Sequence, residues 1–128
     1  MTNTFLNILF VGLGGFFGAI IRYISGIYLL NKYSILVLPT FIVNVIGAFF
    51  IGFLYVLISE KLILSDLWKS LLVVGLLGSL TTFSTFSLEI IKYLEGGMFI
   101  NAIAYIVSSV LTCIIFCYVG IIFSRFVF

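Results

Sequence analysis

Residues 78–89 read GSLTTFSTFSLE, and they lie in the third long apolar run of a chain that is otherwise almost entirely hydrocarbon. Six of the nine residues from Ser79 to Ser87 carry hydroxyls: Ser79, Thr81, Thr82, Ser84, Thr85 and Ser87. Phe83 and Phe86 interrupt them and Glu89 follows. In the hydrocarbon layer of a bilayer an unsatisfied polar group costs several kcal/mol. A stretch this polar must therefore face a partner, a cavity or an ion path, and it reads as the lining of a route for a small anion.

Outward from this stretch, the rest of the chain defines the setting. The 128 residues are 64% hydrophobic and 8% charged, with a mean hydropathy of +1.44. Soluble domains carry about 25% charged residues, so the composition is that of an integral membrane protein. Length allows one transmembrane domain, residues 1–128. A net charge of +2 is too small to attract nucleic acid. Cys113 and Cys117 stand one helical turn apart without a histidine anywhere in the sequence. That pair makes no zinc site and reads as small packing residues. Met1–Asn7 lacks a basic region, so no cleavable signal is expected.

A membrane-crossing helix needs about 20 mostly apolar residues, and four segments qualify: residues 4–30, 35–59, 67–94 and 98–126. Short connections make successive helices antiparallel neighbours. The fold class is therefore all-α, with four transmembrane helices.

Each span carries a few residues that lipid alone does not explain. In the first, Gly14 with Gly18 and Gly15 with Ala19 form small-xxx-small pairs that let helix backbones approach closely. Arg22 lies several residues inside that span. It either snorkels to the headgroups or projects positive charge into a wet vestibule. The second span opens at Pro39, which suits a first helical turn. It holds one strongly polar residue at depth, Asn44, with Gly47 and Ala48 one turn on along the same face. Such an Asn is either interhelical glue or a donor to an anion.

In the third span, β-branched threonines and hydroxyl-to-backbone bonding compete with the helical ladder, so a break is expected. A break survives only where it is buried or lines a cavity, and there it makes ion sites of either sign. Phe83 and Phe86, three apart, share a face if helix resumes after the break. Aromatic rings carry a positive edge, which can hold an anion without a fixed charge. Glu89 either stands at a pore mouth or makes a structural hydrogen bond. In the fourth span, Asn101, Tyr105, Ser108 and Thr112 repeat at helical spacing, with Ser109 beside them, and suggest a wet track.

Basic residues fall three against three on the two sides of the membrane: Lys61, Lys69 and Arg125 against Lys32, Lys92 and Arg22. Orientation follows from an imbalance of such charges, and none is visible. The expectation is insertion both ways round and an antiparallel, dual-topology homodimer. Four helices alone hardly enclose a selective polar path, whereas a two-fold pair can.

GGFFGAIIRY (14–23), PTFIVNVIGAFF (39–50) and GSLTTFSTFSLE (78–89) together resemble the small fluoride channels of the CrcB/Fluc family. The resemblance covers all four spans. It implies antiparallel dimers in bacterial plasma membranes, two fluoride pores per dimer, and passive export of fluoride that entered as HF and dissociated inside. It also implies a structural sodium ion at the dimer centre. Carried over by position, Asn44, Phe83 and Phe86 line the pore, and Ser84, Thr85, Tyr105 and Ser109 form a polar track. Arg22 and Glu89 belong to the vestibule. The backbone carbonyls of Gly78 and Thr81 hold the sodium. A proton-coupled drug exporter of similar size would place an acidic residue in the first span, and residues 1–30 contain none. A scaffold subunit would leave the hydroxyl run unexplained. An intramembrane enzyme would need a nucleophile and base, and no such pair is visible.

Overall fold

The computed structural model describes residues 4–128, and among them every regular element is helical. Helix α1 spans Thr4–Tyr33. Helix α2 spans Leu38–Glu60, with π-helical geometry in its last turn, Val56–Glu60. Helix α3, residues 66–80, is α-helical at Asp66–Lys69, π-helical at Ser70–Leu77 and α-helical again at Gly78–Leu80. Helix α4 spans Phe83–Glu95 and α5 spans Phe99–Val127. Taken as one run, Asp66–Glu95 joins α1, α2 and α5 as four stretches long and apolar enough to cross a membrane.

Local chemistry sets the ends. Helix α1 stops where Ser34 adopts φ 54° and gives its N–H to the Leu30 carbonyl at 2.8 Å. Pro39 lies in the first turn of α2, where its missing N–H has no partner to lose. Helix α4 ends at Gly96, and Gly97 turns the chain with φ 73°, a left-handed conformation that glycine takes without steric cost.

Alternating direction makes α1 parallel to α3–α4 and α2 parallel to α5. The shared end of the second pair is marked by Arg125, whose Nε meets the Glu60 carboxylate at 3.0 Å. Within each pair, glycines bring backbones together. A Cβ on Gly14 would run into the Leu71 carbonyl, and one on Gly18 into the Leu76 carbonyl. From the other side, a Cβ on Gly75 would stand 2.6 Å from the Val11 carbonyl. Gly52 and Gly120 do the same for α2 against α5, facing Cys117 and Phe49 main chain. Of the two small-residue pairs in α1, then, Gly14 and Gly18 make the helix contact. Gly15 has open space and Ala19 is exposed. Val43, Leu54, Leu57, Leu77 and Leu80 form the apolar core between α2 and α3.

Gly14→Val is therefore expected to destabilise the bundle by about 2 kcal/mol or more, seen as a lower melting temperature in detergent. Gly12→Ala, where nothing lies within 4 Å of the added carbon, should leave melting unchanged. Equal melting of both variants would mean that α1 is not held by this contact.

Candidate functional site

The site is built around two extended residues. Thr81 has φ −82°, ψ 150° and Thr82 has φ −149°, ψ 120°, so α3 ends at Leu80 and α4 starts at Phe83. Asn44 of α2 lies opposite. Its Nδ2 donates to the Thr82 carbonyl at 3.2 Å, and the Thr82 N–H donates to its Oδ1 at 2.8 Å. One amide side chain thus takes up the Thr82 N–H that the interruption frees and adds a donor to the carbonyl that opens α4. The Thr82 hydroxyl caps α4 by accepting the Thr85 N–H at 3.2 Å, which satisfies one of the orphan donors of a helix start.

The six hydroxyls of residues 79–87 divide into two groups. Ser79, Thr81 and Ser87 turn back on main-chain carbonyls: Ser79 on Gly75 at 2.8 Å and on Gly15 of α1 at 3.0 Å, Thr81 on Leu77 at 2.9 Å, and Ser87 on Phe83 at 2.9 Å. These three act as helix and interhelix fastenings. Thr82, Ser84 and Thr85 gather instead around the Thr82 oxygen, at 3.1 and 3.2 Å.

Two clefts meet at Thr82. The first, about 500 Å³, is lined by Asn44, Thr81, Phe83, Phe86, Ser109 and Cys113 among others. Phe83 is 78% exposed and Phe86 only 7%. Their ring centroids are 5.6 Å apart, and Phe86 lies 5.0 Å from the Tyr105 ring. The second, about 550 Å³, is lined by Arg22, Thr40, Thr82, Thr85 and Glu89 with apolar neighbours. Thr82 lines both, so one residue links the cleft that holds Arg22 to the cleft that holds the phenylalanines.

In the second cleft, Glu89 is buried and accepts two hydroxyls. Thr40 Oγ1 donates to Oε1 and the Tyr105 hydroxyl to Oε2, each at 2.7 Å. The carboxylate thereby joins α2, α4 and α5. Arg22 lines the same cleft without pairing to it; among the described residues the one ion pair is Arg125–Glu60. Glu89→Ala would strand two buried hydroxyls, at an expected cost of about 2–4 kcal/mol. Glu89→Gln should lose much less, because one hydroxyl can rotate to accept from the amide nitrogen. Thermal unfolding in detergent checks this order, and an alanine variant as stable as the wild type would remove the clamp.

Asn44, Phe83, Phe86 and Ser109 thus come together in one cleft, and Arg22, Thr85 and Glu89 in the other. Ser84 is exposed beside the interruption, and Tyr105 is buried against Glu89. The polar stripe of the last span is split. Tyr105 and Ser109 face inward, whereas Asn101 and Ser108 face outward and the Ser108 hydroxyl bonds the Tyr105 carbonyl. Two residues with roles here, Thr40 and Thr82, carry no separate weight in the sequence. A threonine directly after Pro39 in an apolar run was the only available signal for the first.

No group of three or more His, Cys, Asp or Glu side chains that could hold a metal occurs among the described residues. Main-chain oxygens near the interruption are better suited to a hard cation. A continuous helix would bond the Gly78 carbonyl to the Thr82 N–H and the Thr81 carbonyl to the Thr85 N–H. Those two donors go to Asn44 and to the Thr82 hydroxyl instead. Gly78 and Thr81 therefore fit a cation that takes carbonyl oxygens.

The fold defines a multi-pass membrane protein with two clefts beside an interrupted third span. The chain belongs to the CrcB family: the family model described as "CrcB-like protein, Camphor Resistance (CrcB)" matches residues 9–121. It is 43% identical over 122 residues to a protein of Shewanella sp. (strain W3-18-1), covering 93% of this chain and 98% of the relative. It is 44% identical over 119 residues to one of Campylobacter fetus subsp. fetus (strain 82-40), covering 91% and 92%. Both relatives are named "Fluoride-specific ion channel FluC".

Proposed function

We propose that this protein is a fluoride-selective channel, working as an antiparallel dual-topology homodimer in the bacterial plasma membrane. It carries two pores and lets fluoride leave the cytoplasm down its electrochemical gradient. The observation that carries the reading is the meeting of the two clefts at Thr82, in a chain whose close relatives bear a fluoride-channel name.

The physics is that of replacing water. Fluoride is small and strongly hydrated, so a passage must offer substitute donors at every step. Arg22 draws the anion toward the first cleft it meets. The hydroxyls of Ser84 and Thr85, the Asn44 amide, the Ser109 hydroxyl and the ring edges of Phe83 and Phe86 then take over from water in turn. Lysine is absent from the lining, and a path of weak successive sites suits conduction, because an ion must leave as readily as it enters. Tyr105 and Glu89 hold the wall in place. Exposed Phe83 is suited to reach the facing copy, so that each pore is completed by both subunits. A sodium ion held by the Gly78 and Thr81 carbonyls of both copies would offset the negative ends of main chain that the interruption exposes there.

The buried, hydroxyl-bound Glu89 is the one feature that favours a second reading, proton-coupled export. Purified protein in liposomes decides between them. Fluoride efflux, with little chloride efflux, when a potassium shunt balances the charge and without a proton gradient, is the expected result. Efflux only against a counter-gradient of protons would make the protein an exchanger, and no fluoride efflux at all would end both readings.

A further inference from the structure

Tyr105, Ser109 and Cys113 stand one turn apart along one face of α5. Tyr105 spends its hydroxyl on Glu89. Ser109 lines the cleft beside Phe83 and Phe86 and is 6% exposed, yet its Oγ has no hydrogen-bond partner. A buried hydroxyl without a partner costs about 1–3 kcal/mol, so this one is free to donate to whatever enters the cleft. Cys113 lines the same cleft one turn further on, half-buried and free. Cys117, a further turn on, is also free, but its main chain lies against Gly52 of α2 and it does not line the cleft. The two cysteines, alike in the sequence, are therefore in different places.

We propose that Cys113 is a covalent blocking site inside the passage, for small uncharged electrophiles that add a group to sulfur. The inference rests on the cleft being the ion path. With methyl methanethiosulfonate the step is as follows. The thiol gives its proton to solvent base, and the thiolate attacks the sulfenyl sulfur. A disulfide bond forms to the methylthio group, the bond to the sulfonyl sulfur breaks, and methanesulfinate leaves with the electron pair. The added group lies next to Ser109 and Phe86, where it removes a donor from reach and fills space the ion needs. Thiol-reducing agents restore the free thiol by exchange.

The test uses the full chain in liposomes, treated with methyl methanethiosulfonate at mildly alkaline pH and then assayed for fluoride efflux, with mass spectrometry of the same sample. Wild type and Cys117→Ser should each lose about tenfold or more of their flux, since a filled passage does not conduct, and recover with dithiothreitol. Measured against its own untreated flux, Cys113→Ser should be insensitive to the reagent. Equal loss in Cys113→Ser would overturn the proposal, as would labelling of Cys113 with flux unchanged, or no labelling there at all. In each of those cases untreated protein still passing fluoride leaves the channel reading in place. Untreated protein that passes none defeats the channel reading first, and the blocking site with it.

Discussion

Asn44→Ala should cost the protein both stability and conduction. The side chain accepts the Thr82 N–H at 2.8 Å and donates to the Thr82 carbonyl at 3.2 Å. Removing it strands the N–H beside a cleft, while the carbonyl keeps its place as the first acceptor of α4. For one stranded group the loss is expected to be about 1–3 kcal/mol. Asn44→Asp separates the two roles. Its carboxylate still accepts the Thr82 N–H, so the interruption keeps one of its two fastenings. Its second oxygen, however, faces the Thr82 carbonyl where a donor stood, and a negative charge now sits on the path of an anion. The aspartate variant should therefore fold better than the alanine variant and still lose about tenfold or more of its fluoride flux. Flux from liposomes and melting in detergent measure the two effects separately. Unchanged throughput in the aspartate variant would reduce Asn44 to a packing residue.

How this site was legible depends on what hydropathy records. Four long apolar runs are plain in the chain because lipid demands them at a fixed length. The polar stretch at 78–89 is plain for the opposite reason, since lipid punishes it. Rotation of one helix against another leaves no such mark. In a soluble bundle the apolar stripe points to the core, but in a membrane the outer face is apolar too. The helical wheel thus groups Asn101 with Tyr105 and Ser108, yet Asn101 and Ser108 face outward and Tyr105 inward. The same blindness hides which glycine pair in α1 meets α3, and that Thr40, forty-nine positions away along the chain, closes on Glu89. Nor does a run of hydroxyls say which ones turn back on their own helix. Ser79, Thr81 and Ser87 each sit four residues after a carbonyl that they bond. Thr82, Ser84 and Thr85 escape that fate because the carbonyls four residues before them, at 78, 80 and 81, lie before the restart of the helix at Phe83.

The phenylalanines give the sharpest separation of folding from conduction. Phe83 is 78% exposed in the single chain, so shortening it to isoleucine removes little buried surface from the subunit. Phe86 is 7% exposed and packs 5.0 Å from the Tyr105 ring. Phe86→Ile therefore loses an aromatic contact worth about 0.5–1.5 kcal/mol beyond its area. If the rings served only packing, flux would follow stability, and Phe86→Ile would be the more damaged of the two. If their edges carry the anion, the outcome differs. An isoleucine offers no positive edge, and a small anion stripped of water finds nothing in its place along that stretch of the cleft. Both variants should then fall by about two orders of magnitude in fluoride flux, while each still folds and elutes as the same oligomer. That pairing, a retained oligomer with a large loss of throughput in both variants alike, is what a packing role cannot produce. Full flux in Phe83→Ile would take the exposed ring out of the passage and leave Asn44 and the Thr82 hydroxyl cluster to bring the ion across alone.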